Sequence, residues 1–193
     1  LVIENKALPK TSQPSVGDFQ TVYEALGQTG DEILSIHLTS KLSGTYQSAK
    51  LAASLVASQT EVTVVDSLAG SAGLGWMVLD AAHLLAEQMP VSTIQETLEA
   101  KRKKITIFFA VDTLEYEQMS GRVGRLSAVL GTVLNIKPVI GLTQGVIQVE
   151  DKVRSKRAAR DRMIALTRER VQDHPVHVAV VHALAAERAE ALM

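Results

Sequence analysis

With 193 residues, 46% of them hydrophobic, the chain can bury a sizeable core as one domain or two small ones, which excludes disorder over most of its length. A net charge of −1 gives no global attraction to nucleic acid or an anionic membrane, and the lack of cysteine removes disulfides, thiolate metal sites and a cysteine nucleophile. No apolar run approaches the roughly 18 residues of a membrane span and no signal peptide is evident, so the cytoplasm is the expected compartment.

The chain opens at Leu1 in a segment that reads as extended (residues 1–4) and stops at Met193 within an apparent helix, which points to a piece of a longer protein. Ser15 is placed to cap a helix running to about Gln28. A continuous apolar run over residues 32–38 reads as a strand. Ser43-Gly44 then opens a helix with Tyr46, Ala49, Ala53 and Val56 along one face. Residues 61–66 form a second strand, followed by a helix carrying Leu74, Met77, Ala81, Leu84 and Gln88, which Pro90 breaks. The cations of residues 101–104 suit a helix C-terminus. A third strand covers residues 105–111. Strands alternating with helices predict βαβ units, with these three strands in one parallel sheet buried on both faces.

Beyond about residue 130 the pattern changes. Residues 136–142, then Gln144-Gly145, then residues 146–149 read as an antiparallel hairpin with a tight turn. A basic helix from Arg154 to about Val171, a strand over residues 176–181 and a last helix follow. The predicted fold class is α/β: a Rossmann-like parallel-sheet domain (residues 1–132), followed by a smaller α+β domain with antiparallel strands (residues 133–193).

In an open parallel sheet, ligands bind beyond the carboxyl ends of the strands. Three hydroxyl-rich loops lead into helices there: Thr11-Ser12-Gln13-Pro14-Ser15, Thr39-Ser40-Lys41-Leu42-Ser43-Gly44, and Asp66-Ser67-Leu68-Ala69-Gly70-Ser71. Helix N-termini present unpaired N–H groups and a positive dipole end, which favour an anion. Capping alone accounts for any one of these loops. Three on one edge point to a ligand.

Competing motifs are weaker. Gly70 to Gly75 follows a strand, but the G-x-G-x-x-G spacing fails at Val78, so close helix–sheet packing is the plainer account of the glycines. There is no P-loop and no G-x-S-x-G elbow. His37, His83, His174, His177 and His182 show no zinc spacing, and His37 and His182 fall on predicted strands. The cluster Lys152, Arg154, Lys156, Arg157, Arg160 and Arg162 reads as a solvated helix face, or as a docking surface for an acidic partner or lipid headgroups.

Several segments together resemble the DegV family. Thr11 to Ser15 with Phe19 is similar to its T-S-Q-P-S-x-x-x-F motif. Ser35-Ile36-His37 with Ser40-Lys41-Leu42-Ser43-Gly44-Thr45-Tyr46-Gln47-Ser48-Ala49 is similar to a second motif. Asp66-Ser67 with Ser71, Gly73, Leu74 and Gly75 makes a third. Residues 109–116 with Gly121-Arg122-Val123-Gly124 make a fourth, and residues 134–138 with Lys152-Val153-Arg154 complete the series.

The resemblance implies a non-enzymatic, two-domain carrier that binds one long-chain fatty acid between its domains. In bacteria holding the matching fatty acid kinase, such a carrier presents the acyl carboxylate for phosphorylation. A transient membrane contact fits that role; no cofactor beyond the fatty acid, no metal and no nucleic acid is implied. The carboxylate-binding residues carry over to Thr11 and Ser43, with Ser12 and Gly44 beside them and Arg154 near the head group. Two features of the family are missing from this chain: an N-terminal aspartate–serine segment and a C-terminal glycine-rich segment with a histidine. The residues themselves agree with a carboxylate, since a phosphate would normally recruit an Arg or Lys as well. The rival reading is a serine-dependent acyl hydrolase or transferase with Ser43 as nucleophile and His37 as base.

Overall fold

The structure is a computed structural model that describes residues 11–111 and 136–193. Helix α1 (Val16–Gly27) starts on a reciprocal cap: the Asp18 N–H donates to Ser15 Oγ at 3.1 Å and the Ser15 N–H to Asp18 Oδ2 at 2.8 Å. Strand β1 (Ile33–His37), helix α2 (Thr45–Val56), strand β2 (Val62–Asp66), helix α3 (Ser71–Ala86) and helix α4 (Val91–Lys101) follow. Strands β1 and β2 pair in parallel, with Ile33 opposite Val62 and His37 opposite Asp66.

Alternation along the strands sorts their side chains between two layers. Ile33, Val62 and Val64 pack with Tyr23, Ala49, Ala52 and Val56 of α1 and α2. Leu34, Ile36 and Val65 pack with Met77, Ala81, Ile94 and Leu98 of α3 and α4. Helices on both faces explain why these strands read as continuous apolar runs. Lys101 does more than suit a helix end, since its Nζ pairs with Asp80 of α3 at 2.8 Å.

The two glycines within α3 differ. Gly73 is buried, and a β-carbon there would stand 2.9 Å from Ile105 Cγ2 and 3.0 Å from Ile107 Cδ1, whereas around Gly75 there is open space. Close packing therefore accounts for Gly73 alone. Gly75→Ala is expected to stabilise the protein by about 0.5–1 kcal/mol through reduced chain entropy. Gly73→Ala should give no such gain, because the helix must shift from the sheet. Thermal melts of the two variants separate these outcomes.

The expectation that residues 105–111 join the parallel sheet is corrected. Strand β3 (Ile107–Ala110) pairs antiparallel with β4 (Lys137–Thr143), which pairs antiparallel with β5 (Val146–Val153) in a separate sheet. Phe108 faces a cluster with Val139, Ala159 and Leu166, and Phe109 faces Ile140 on the other side. An apolar run buried on both faces looks the same in either sheet, so periodicity does not name its partner. The hairpin is as predicted, with Gln144 and Gly145 at φ 51° and 77°, the left-handed pair that a two-residue turn demands.

Helix α5 (Lys156–Val171) packs Ala159 and Leu166 onto the second sheet, and Ser155 Oγ caps it by accepting the Ala158 N–H at 3.1 Å. Arg162 bridges Asp151 at 2.6 Å and Glu169 at 2.7 Å. The strand expected over residues 176–181 does not form: these residues pair with no strand among the described residues, and Val178 is 63% exposed. His182 accordingly lies off any strand, accepting the Ala185 N–H ahead of helix α6 (Ala186–Glu190). The extended segment expected at residues 1–4, most of the motif at residues 109–124 and the domain boundary expected at 132/133 lie outside the described residues. Among the described residues, no helix is long and apolar enough to cross a membrane.

Candidate ligand site

The loops after β1 and β2 meet at the carboxyl edge of the parallel sheet. The Asp66 carboxylate ties them together, its Oδ1 accepting the Ser40 N–H at 3.2 Å and the Leu68 N–H at 3.0 Å. Arg102, just past α4, reaches back to the same edge and donates to the Asp66 carbonyl at 2.9 Å. Leu68 and Ser71 sit at φ 49° and 47°, a region non-glycine residues enter at a cost of about 1 kcal/mol or more and one enriched at functional loops. The first loop adjoins the second through Gln13, whose side chain lies where a β-carbon on Gly44 would stand, 2.8 Å from Nε2.

The hydroxyls of these loops divide into two groups. Ser15 is spent on the α1 cap. Thr39 and Ser67 are fully buried: Thr39 Oγ1 donates to the Gly145 carbonyl at 3.2 Å, and Ser67 Oγ accepts the Ala69 N–H at 3.1 Å. Thr11, Ser12 and Ser71 are exposed, and Ser40 and Ser43 half-buried. Ser43 Oγ is 2.8 Å from Thr45 Oγ1 and accepts the Thr45 N–H at 3.2 Å. Helices α2 and α3 start on Gly44 and Gly70, which carry no capping side chain; at α2 the first N–H, that of Thr45, is taken by Ser43 Oγ instead. Glycine-led helix starts beside a half-buried hydroxyl leave room for an anion next to the helix N-termini.

Beneath this edge runs a polar relay. Tyr23 Oη lies 2.7 Å from Ser35 Oγ, which lies 2.7 Å from His37 Nε2, and Phe19 meets the imidazole edge-on at 5.1 Å. Burial pushes the His37 pKa below its ordinary 6.5, outweighing an upward pull from Asp66. The unfolded chain therefore binds this proton more readily than the folded one. The stability that neutral His37 contributes is fully present above pH 6.5 and is lost as pH falls through 6.5 and then through the lower folded value. Urea midpoints compared at about pH 7.5 and about pH 5 should drop further for the parent than for His37→Gln. Equal drops would remove His37 as the cause.

Two surface grooves lie elsewhere. One, of about 540 Å³, is lined by Ala53, Ala57, Val62 and Val64, and the other, of about 370 Å³, by Leu26, Ile33 and Leu34. Neither is lined by a residue of the three hydroxyl loops, so neither is taken as the head-group site.

The comparisons with known proteins bear on this edge. The family model described as "Uncharacterised protein, DegV family" matches residues 1–193. The chain belongs to the DegV family. A DegV domain-containing protein of Listeria monocytogenes is 40% identical over 184 residues, covering 93% of this chain and 64% of that one. Among solved structures, the fatty-acid-binding DegV family protein of Thermus thermophilus superposes with a TM-score of 0.79 at 40% identity, over 86% of this chain and 59% of that one. DegV of Bacillus subtilis, a fatty acid binding protein, gives 0.89 at 34% identity, over 99% and 68%. The chain spans about three fifths of the length of the curated relatives it matches.

Within this DegV chain, the Gln13 side chain, beside Thr11 and Ser12 in sequence, lies against Gly44, next to Ser43. Arg154 it does not bring there by any described contact. Exposed just beyond β5, Arg154 is a strand's length, about 25 Å, from the hairpin turn that meets these loops. Sequence reasoning missed Arg102, read only as part of a helix end, and Thr143, whose buried hydroxyl has no partner among the described residues. Neither carries a local signal, since both reach this edge through tertiary packing. The rival catalytic pair is not assembled: Ser43 Oγ bonds Thr45 and His37 Nε2 bonds Ser35.

Proposed function

We propose that this chain binds one long-chain fatty acid, with the carboxylate on the hydroxyls of Thr11, Ser12 and Ser43 and on the backbone N–H groups from Gly44 onward. The observation that carries this reading is the half-buried Ser43 hydroxyl at the glycine-led start of α2, with the Gln13 side chain of the first loop resting on Gly44. The fatty acid binding of the Thermus and Bacillus relatives supports it. The tail enters an apolar tunnel, where burial contributes up to about 0.8 kcal/mol per methylene. No cofactor takes part, and the bound acid is presented to a partner fatty acid kinase in the cytoplasm. Native mass spectrometry of the purified protein tests this directly: a co-purifying fatty acid is expected, and a protein that neither carries nor takes up one sinks the reading. A serine-directed fluorophosphonate should leave Ser43 unlabelled, because no base is bonded to it.

The basic helix α5 is the proposed docking surface for that kinase, with a transient membrane contact as the other outcome of the test. Arg157 and Arg160 both lean on Asp161, at 3.8 and 2.9 Å, and Arg157 is 85% exposed. Charge reversal at both should weaken kinase association at about 50 mM salt, where the Debye length is about 14 Å, while fatty-acid affinity is unchanged. Unchanged kinase affinity would return the helix to a solvated face.

A further inference from the structure

The hydroxyl loop that carries Ser43 does not hold itself in place. Thr39 opens the loop and is fully buried, which is unusual for a hydroxyl residue at a sheet edge. Its carbonyl accepts the N–H groups of Leu42 and Ser43 at 3.2 and 3.3 Å, so the backbone of Ser43 hangs on Thr39. Its hydroxyl donates across to the Gly145 carbonyl at 3.2 Å and accepts the Lys41 N–H at 3.3 Å. Lys41 Nζ then donates to the Gln144 carbonyl at 2.8 Å. The turn of the β4–β5 hairpin thus offers two successive carbonyls, and residues 39 and 41 of the loop take both. A β-carbon on Gly145 would run into Thr39 Oγ1 and stand 3.1 Å from Leu68 Cδ2, so the approach is close enough to require glycine on steric grounds as well as for its φ of 77°.

We propose that the Gln144–Gly145 turn is a positioning element for ligand binding. Through Thr39 and Lys41, the antiparallel sheet holds the Ser43 loop in the form that receives the ligand, so affinity depends on residues that do not touch the ligand. This deepens the fatty-acid reading and rests on it for the ligand's identity. It also gives a role to Thr39 and Lys41, which the carboxylate contacts leave unused. The alternative is that the loop is set by Asp66 alone, the turn merely resting on it.

The test combines palmitate titration with amide hydrogen exchange on the ligand-free protein, for the parent, Thr39→Val, Gly145→Ala and Gln148→Ala. Gln148 lies on β5 away from the turn and serves as the control. Thr39→Val keeps the shape and removes the hydroxyl, so it stays informative even if Gly145→Ala misfolds. Exchange at Leu42 and Ser43 should quicken, and palmitate affinity should fall, each by about tenfold in both turn variants, the loss of about one hydrogen bond to the turn. Circular dichroism should show both variants folded, and Gln148→Ala should match the parent. Parent-like exchange at Leu42 and Ser43 in Thr39→Val would overturn the proposal, as would quickened exchange with palmitate affinity intact. A parent that binds no palmitate would instead remove the fatty-acid reading, a separate result, because the exchange data decide the turn's hold on Ser43 without any ligand.

Discussion

Ser43→Ala should bind a long-chain fatty acid about 10- to 100-fold more weakly than the parent, since a hydrogen bond to a charged group contributes roughly 1.5–3 kcal/mol. The variant removes a half-buried hydroxyl whose only described partners are its neighbour Thr45's own side chain and N–H. No part of the core depends on it, so folding should be preserved. Adding Thr11→Ala should nearly abolish carboxylate recognition, because the exposed Thr11 loop is the other wall of the contact at Gly44. The matching fatty alcohol should lose much less in either variant, as it never drew on the charge-assisted bonds. Isothermal titration of acid and alcohol against both variants makes the measurement. Ser43→Ala binding the acid as tightly as the parent does would place the head group elsewhere.

Ile140→Ala is expected to destabilise the protein by about 2–5 kcal/mol, the cost of a large cavity in a site that relaxes only in part. Strand β4 is central in the antiparallel sheet and buried on both faces, with Val139 and Ile140 each at 0% exposure. Ile140 packs with Phe109 of β3, Ile147 and Val149 of β5, and Val111 and Ile136 just outside β3 and β4, so no single side-chain movement refills the space. The register shift between Val139 and Ile140 adds a local bend that further pins the backbone there. Urea denaturation with the slope held in common gives the number. A loss under about 1 kcal/mol would mean that the second sheet does not unfold as part of the cooperative unit being measured.

Much of this protein was legible in local pattern. Ser15 ahead of a helical run announces a helix start through backbone chemistry confined to one turn, and the structure bears out that cap, with Asp18 completing it. Gln144-Gly145 between two apolar runs announces a hairpin for an equally local reason, the left-handed φ of both residues. The helix over residues 71–86 and the loops at the sheet edge follow from spacing and from the order of strands and helices. The hydroxyl loops holding Thr11, Ser12 and Ser43 stand out because hydroxyls before helix starts leave a mark within a few residues, while their assignment to a carboxylate comes from the family resemblance.

What tertiary structure decided concerns partners distant in sequence. Phe108 and Phe109 make the same apolar run whether their strand pairs with β1 or with β4, and only the strand beside them settles it. Residues 176–181 carry strand-forming valines, yet they pair with no described strand, and Val176, Val178 and Val181 stay exposed. Arg102 reads as the cation of a helix end until the fold returns it 36 residues back to Asp66. Thr39 and Ser43 look alike as loop hydroxyls. The hairpin turn, 106 residues from Thr39, claims the first and leaves the second with partners only in its own loop, because a buried hydroxyl must find a partner and only the folded chain supplies one.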